Sequence, residues 1–190
     1  VQAQEQKKIE IEYSGFLTFN EAEYPGAKIL TRDDSQQIHI IHESLNMWFD
    51  KAYYYGKENY IKAYGHVNLI QGDTINMNAK YIQYEGSTKM AFASGNVVLK
   101  DPNPTITTDT LYFDRLKQQA YYEHGGTVVK DTSGTITSKI GRYYMNKKKQ
   151  LDKDSDTEFK RLVRVQKAKI DELPSSLYRD GLMKAMDELD

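Results

Sequence analysis

The histidines, carboxylates and tyrosines are the side chains of this sequence able to do chemistry, and their spacing argues against an active centre. His39 and His42 stand three apart in Ile38-His39-Ile40-Ile41-His42. That run reads as a strand, so the two rings face opposite ways. His66 and His124 each adjoin a glycine, where polar residues commonly occupy turns. No third ligand is placed to complete a zinc site. Asp50, Glu85 and Asp114 close successive strand-like runs, and a carboxylate there usually hydrogen-bonds the local turn backbone instead of acting as a general acid. Asp33-Asp34 reads as a loop tip. The chain has no cysteine, which excludes thiolate chemistry and disulfides and leaves the compartment open. The glycines are dispersed, so neither a phosphate-cradling loop nor a nucleophile elbow is present. The expectation is a protein that is not an enzyme and uses no cofactor or metal. Tyr53-Tyr54-Tyr55 and Tyr121-Tyr122 suggest stacking platforms, but neighbours on a strand face opposite sides and are expected to pack alternately against core and rim.

What positions such residues is a repeat. Gly65-His66-Val67-Asn68-Leu69 recurs as Gly95-Asn96-Val97-Val98-Leu99 and as Gly125-Gly126-Thr127-Val128-Val129. A unit of about thirty residues cannot bury its own apolar face, so each copy must be covered by its neighbours. A degenerate earlier copy opens between Ile9 and Phe19 and ends at Met47-Trp48-Phe49-Asp50. Within each copy apolar residues alternate with polar ones, broken at Gly, Pro, Asn and Asp, which is the signature of strands and turns. The chain is expected to be all-β. One row, Val67, Leu69, Ile75, Met77, Ile82, Tyr84, Val97, Leu99, Ile106, Leu111, Phe113, Val129 and Ile136, should point the same way, with Asn, Thr, Gln and Lys pointing outward. Two such faces folded together make a sandwich, a jelly roll or a sheet bent into a long V. The glycine opening each copy is the natural bend.

The net charge of −1, with lysines scattered among acids, supplies no basic stripe for nucleic acid. No window approaches the ~20 consecutive apolar residues of a membrane span. Val1-Gln2-Ala3 before Gln4 has small residues at the −3 and −1 positions of a signal-peptidase site, so residues 1–7 read as an export remnant or disordered leader. After Asn146 the pattern changes. Residues 151–190 are expected to be a helical or disordered tail, with Phe159, Leu162, Val163, Ile170 and Leu173 at helical spacing and Pro174 as a stop.

The unit Ala93-Ser94-Gly95-Asn96-Val97-Val98-Leu99-Lys100, a turn, then Thr105-Ile106-Thr107-Thr108-Asp109-Thr110-Leu111-Tyr112-Phe113-Asp114 resembles the repeat of the OstA-like proteins. The family includes periplasmic lipopolysaccharide-transport proteins and the periplasmic domain of their outer-membrane partner. Residues 8–150 carry the resemblance; Lys80, Lys139 and Gly141 depart from it. It implies a twisted β-jelly roll of stacked V-shaped layers in the periplasm of a Gram-negative bacterium, associated with the outer-membrane assembly machinery. It also implies that the apolar row contacts the acyl chains of lipopolysaccharide, with Lys100 and Lys130 near head-group phosphates. The implied partners are lipopolysaccharide, other transport β-jelly rolls joined edge to edge, and further copies of this chain. The alternative is a structural or adhesive β-solenoid that binds protein by its edges and carries no lipid.

Overall fold

Alternating Val, Ile, Thr and Tyr favour extended chain, and the repeat folds as long antiparallel strands bent at their midpoints. The structure, a computed structural model, describes residues 6–130 and 133–145 together with Val165. The expected tail over 151–190, Val165 apart, lies outside these residues, as do positions 1–5 of the expected leader. Fourteen strands form one sheet. They are β1 (Glu10–Tyr13), β2 (Phe16–Thr18), β3 (Lys28–Thr31), β4 (Ile38–His42), β5 (Leu45–Phe49), β6 (Lys51–Tyr55) and β7 (Tyr60–Gln71), followed by β8 (Ile75–Glu85), β9 (Met90–Lys100), β10 (Thr105–Asp114), β11 (Gln119–Tyr122), β12 (Gly126–Lys130), β13 (Gly134–Ser138) and β14 (Gly141–Tyr144).

The register divides this sheet into two halves. On one side of the bends the order is β2, β3, β6, the early half of β7, the late half of β8, the early half of β9, the late half of β10, β11 and β14. On the other side it is β1, β4, β5, the remaining halves of β7 to β10, β12 and β13. The halves face each other as the arms of a V. The bends form its vertex, and the hairpin turns line its open mouth.

The vertex explains the repeated glycine. In β7, Gly65 (φ +88°) and His66 (φ +46°) are both left-handed, and in β9 so are Gly95 (φ +86°) and Asn96 (φ +46°). L-residues with a Cβ resist that region. A Cβ on Gly65 would stand 2.7 Å from Asp50 Cβ, and one on Gly95 2.6 Å from Lys80 Cβ. Glycine therefore supplies both the bend and the close approach of the preceding strand. Lys80, a departure from the family pattern, lays its side chain over this gap. Of the three carboxylates expected to form turns, Asp50 does not. Glu85 and Asp114 do bind their own turns, whereas Asp50 sits at the corner between β5 and β6, bonded to Arg32, Gln37 and His66. Burial pushes its carboxyl up, but these hydrogen bonds outweigh it and hold the group below the ordinary carboxylate range.

The interior between the arms is apolar. The outer face of the first arm is not the polar surface expected. Residues 20–27 fold over it, and Tyr24, Ala27, Tyr53, Tyr55, Tyr60, Tyr64 and Tyr81 make a second buried cluster. Tyr24 and Tyr53 rings lie 4.7 Å apart. Lys62 and Gln83, expected in solvent, are buried there at 1% and 0% exposure. Burial pushes the Lys62 ammonium pKa down to about 8. The alternation of adjacent tyrosines holds, with Tyr54 in the interior and Tyr53 and Tyr55 outside, where a covered layer replaces a rim.

Candidate functional site: an apolar interior open at one end

Val67, Leu69, Ile75, Met77, Ile82, Tyr84, Val97, Leu99, Ile106, Leu111 and Phe113 all lie buried in the single cluster between the arms. Strand parity places them there, and the bends preserve the facing. β8 and β10 change parity at their irregularities, between Asn78 and Tyr81 and between Thr108 and Thr110. Without that change Ile82 and Leu111 would point out. In the middle repeats these side chains pack on one another, so the interior there is filled.

Val129 and Ile136 differ. Val129 is 39% exposed and Ile136 63%. The register aligns Ile106, Val128 and Ile136 across three strands, and Val128 packs against the core. The correction has a clear cause. Thr108 pairs with Val97 on one side and Gly126 on the other, so Gly125, left-handed at φ +97°, stands at the second bend position, that of Asn96, and not at the first. The offset runs the length of the copy: Ile106 pairs with Leu99 on one side and Val128 on the other, and Tyr112 with Phe92 and Tyr121, so Val128 and not Val129 stands where Leu99 does on the inner face.

The third copy also leaves room. A cavity of about 470 Å³ opens between the arms, lined by Ile106, Leu111, Ala120, Tyr122, Val128, Ile136, Tyr143 and Tyr144, with Lys130, Arg142, Ser138 and Gly141 completing it. This volume lies in the ~300–1,000 Å³ range of small-molecule sites. Tyr122 occupies space that side chains would otherwise fill: a Cβ on Gly126 would stand 2.7 Å from its ring, and one on Gly141 would overlap it outright. Its hydroxyl is 2.6 Å from Ser138 Oγ, which ties the two arms together. Glycine at 141, where the repeat loses an apolar residue, is thus what admits the ring. Tyr143 Oη donates to Asp101 Oδ2 at 2.9 Å across the mouth; burial, together with that carboxylate, pushes the phenol pKa up. Of the two lysines expected near head groups, Lys130 lines the cavity, while Lys100 is exposed at the end of β9 and does not.

A second hollow of about 470 Å³, bordered by Asn96, Thr107, Asp109 and His124, is a polar recess at the vertex. Among the described residues no group of three or more His, Asp or Glu is placed to hold a metal. His39 stacks on Trp48 with centroids 4.6 Å apart, whereas His42 turns inward and is 1% exposed. A chain of hydrogen bonds runs from Arg115 Nη1 to Tyr84 Oη (2.7 Å), from Tyr84 to His42 Nδ1 (2.6 Å), and from His42 Nε2 to the Lys7 carbonyl (3.0 Å). Burial, reinforced by the nearby guanidinium and opposed by the Lys7 carbonyl, holds His42 below its ordinary pKa. The imidazole is neutral, donating from Nε2 and accepting at Nδ1. Burial pushes the Tyr84 phenol up to about 12.

Sequence reasoning missed Val128, Tyr122, Arg142 and Tyr143 in the cavity and the Arg115 network. For the first, His124-Gly125, not Gly125-Gly126, is the counterpart of Gly65-His66 and Gly95-Asn96. For the others no pattern within a single repeat marks a partner in the next.

Fold and site together define a repeat-built β protein, a sheet bent on itself around an apolar interior that is packed through its middle and hollow at its carboxy-terminal end. The chain belongs to the family of OstA-like proteins, whose sequence pattern matches residues 6–170. Among solved structures it is similar to LptH, the LptA-homologous periplasmic component of the lipopolysaccharide transport device of Pseudomonas aeruginosa. The similarity has a TM-score of 0.46 at 11% identity and covers 57% of this chain and 76% of that one. No curated protein matches the sequence.

Proposed function

We propose that this chain is a noncatalytic periplasmic carrier module for lipopolysaccharide, with acyl chains held at the carboxy-terminal end of the interior. The observation that carries this reading is the cavity beside Ile106, Leu111 and Val128, an apolar hollow with the cation Lys130 in its lining. Apolar walls with a lysine beside them fit an anionic amphiphile. Each methylene removed from water gains about 0.8 kcal/mol, so a greasy hollow holds chains without fixed specificity. Membership of the OstA-like family supports the choice of lipopolysaccharide over other amphiphiles.

The ends of the sheet support a role as one link in a bridge, joined to other transport β-jelly rolls or to further copies of this chain. At one end Phe16 and Leu17 of β2 and the adjoining Phe19 are exposed, and at the other Val129, Ile136 and Ile140. Among the described residues both ends finish in edge strands, a geometry that suits strand addition.

The filled interior of the middle repeats favours the second reading, a structural or adhesive solenoid without lipid. Equilibrium binding separates the two. The folded chain should enhance the fluorescence of N-phenyl-1-naphthylamine, and purified lipopolysaccharide should displace the dye; Val128→Asp should abolish both effects. A folded protein that neither binds the dye nor yields it to lipopolysaccharide sustains the solenoid instead.

A further inference from the structure

We infer that the interior loads sideways, through the line where the turns of the two arms meet, and that Arg115 is the anion-receiving group this opening releases. The inference rests on the carrier reading and names its route and its head-group site.

The mouth is held by a clasp in each repeat, always between a turn of one arm and a later turn or strand of the other. Glu43, in the β4–β5 turn, pairs with Lys89, in the β8–β9 turn, at 2.8 Å. Gln71, where the β7–β8 turn begins, accepts from Arg115 Nε at 2.7 Å and donates to Gln118 Oε1 at 3.2 Å, both in the β10–β11 turn. Asp101, after β9, accepts from Tyr143. These contacts are side chain to side chain. The vertex, by contrast, is continuous backbone, and the amino-terminal end is plugged by Ile9, whose N–H donates to Asn59 Oδ1 at 2.8 Å and whose carbonyl accepts from Tyr54 at 2.9 Å. The mouth is therefore the line along which the V can part without breaking a strand. Its last clasp is also a wall of the cavity, since Tyr143 lines it, so parting there extends the hollow toward Arg115.

Two features are costly if the mouth is only a seam. The first is backbone. Glu43 (φ 54°), Lys89 (φ 59°) and Gln118 (φ 54°) all occupy the left-handed region at mouth turns, where glycine fits best. Each instead carries a side chain that reaches across the mouth, and strain kept in this way points to function. The second is charge. The Arg115 guanidinium is buried, and its donors meet neutral oxygens of Tyr84 and Gln71. Among the described residues it makes no ion pair. A buried cation held by neutral acceptors is poised for an anion. A ligand opens a gate only by binding the open state better. An amphiphile with an acyl chain and a phosphate does so by covering the parted apolar faces with the chain while the phosphate takes Arg115 from Tyr84 and Gln71.

The chain has no cysteine, so Glu43→Cys with Lys89→Cys gives the only two thiols. A reductively cleavable bis-thiol linker spanning the former ion pair then locks the mouth of the full-length chain. Uptake of N-phenyl-1-naphthylamine, and its displacement by dodecyl phosphate or by dodecanol, are followed in linked and reduced protein. Linked protein is expected to take up dye at least about tenfold more slowly, with reduction restoring the rate. Arg115→Met is expected to lower the preference for dodecyl phosphate over dodecanol about tenfold, an effect that loss of packing alone would not produce. Asp101→Cys with Tyr143→Cys repeats the lock at another clasp and serves if the first pair fails to fold. Equal rates in linked and reduced protein overturn the gate and leave the carrier standing. An unchanged head-group preference overturns the role of Arg115. No uptake in either state of a folded protein overturns the carrier reading, and the gate with it.

Discussion

Replacing Gly95 by alanine adds one carbon at the vertex, and the structure sets its cost. Gly95 has φ +86°, a backbone that costs an L-residue about 1–2 kcal/mol. The new Cβ would lie 2.6 Å from Lys80 Cβ, 3.0 Å from its Cγ and 3.1 Å from its Cδ. The nearest of these is fixed to the backbone of β8, so the strand itself must move, at about 1–3 kcal/mol. The total is about 2–5 kcal/mol, combining both effects. Gly72→Ala is the control: its φ is +57° and nothing lies within 4 Å of the added carbon, so it carries only the conformational part. Urea unfolding followed by the fluorescence of Trp48, the only tryptophan, reads both variants. Gly95→Ala should have the lower midpoint. The double variant Lys80→Gly/Gly95→Ala should show favourable coupling, because the contact is gone. Equal midpoints for the two alanine variants, or no coupling, would refute the vertex as described.

Lys62 should destabilise the fold at neutral pH. Its pKa falls from 10.5 to about 8 on folding, so the unfolded chain holds the proton more tightly, and stability rises with pH between about 8 and 10.5. Lys62→Met should therefore gain about 1–3 kcal/mol at pH 7 and little above pH 10.5, measured by urea midpoint; a variant no more stable at pH 7 would contradict this. His42 works in the other range. Its folded pKa lies below 6.5, so stability is full above that value and falls as pH drops from 6.5 toward the folded pKa, by at most about 1.4 kcal/mol per pH unit. His42→Gln should flatten the slope between pH 6.5 and 5, and an unchanged slope would show that the imidazole is not held neutral.

How much was legible in the sequence follows from where each interaction lives. The bends were legible because a left-handed residue under a neighbouring strand admits only glycine, and Gly65 and Gly95 recur in phase. The inner row was legible because strand parity is local. Val129 was misplaced because the third copy lies one residue closer to the second than the spacing of the glycines implies: Gly125 stands where Asn96 does, and Val128 where Leu99 does. The tyrosine layer was not legible as a buried face: its cover, residues 20–27, belongs to no repeat. The mouth clasps were invisible for a related reason. Glu43 and Lys89, or Gln71 and Arg115, are brought together by the stagger of one arm against the other, which no single repeat encodes.

The central claim, a lipid held between the arms at the carboxy-terminal end, is tested most directly by photocrosslinking in cells with the reactive side chain at Val128 and, in a separate strain, at Val129. These neighbours differ only in the face they occupy. The account predicts a lipopolysaccharide adduct at Val128 and none at Val129. Adducts at neither position in a folded protein, or at both equally, would contradict it.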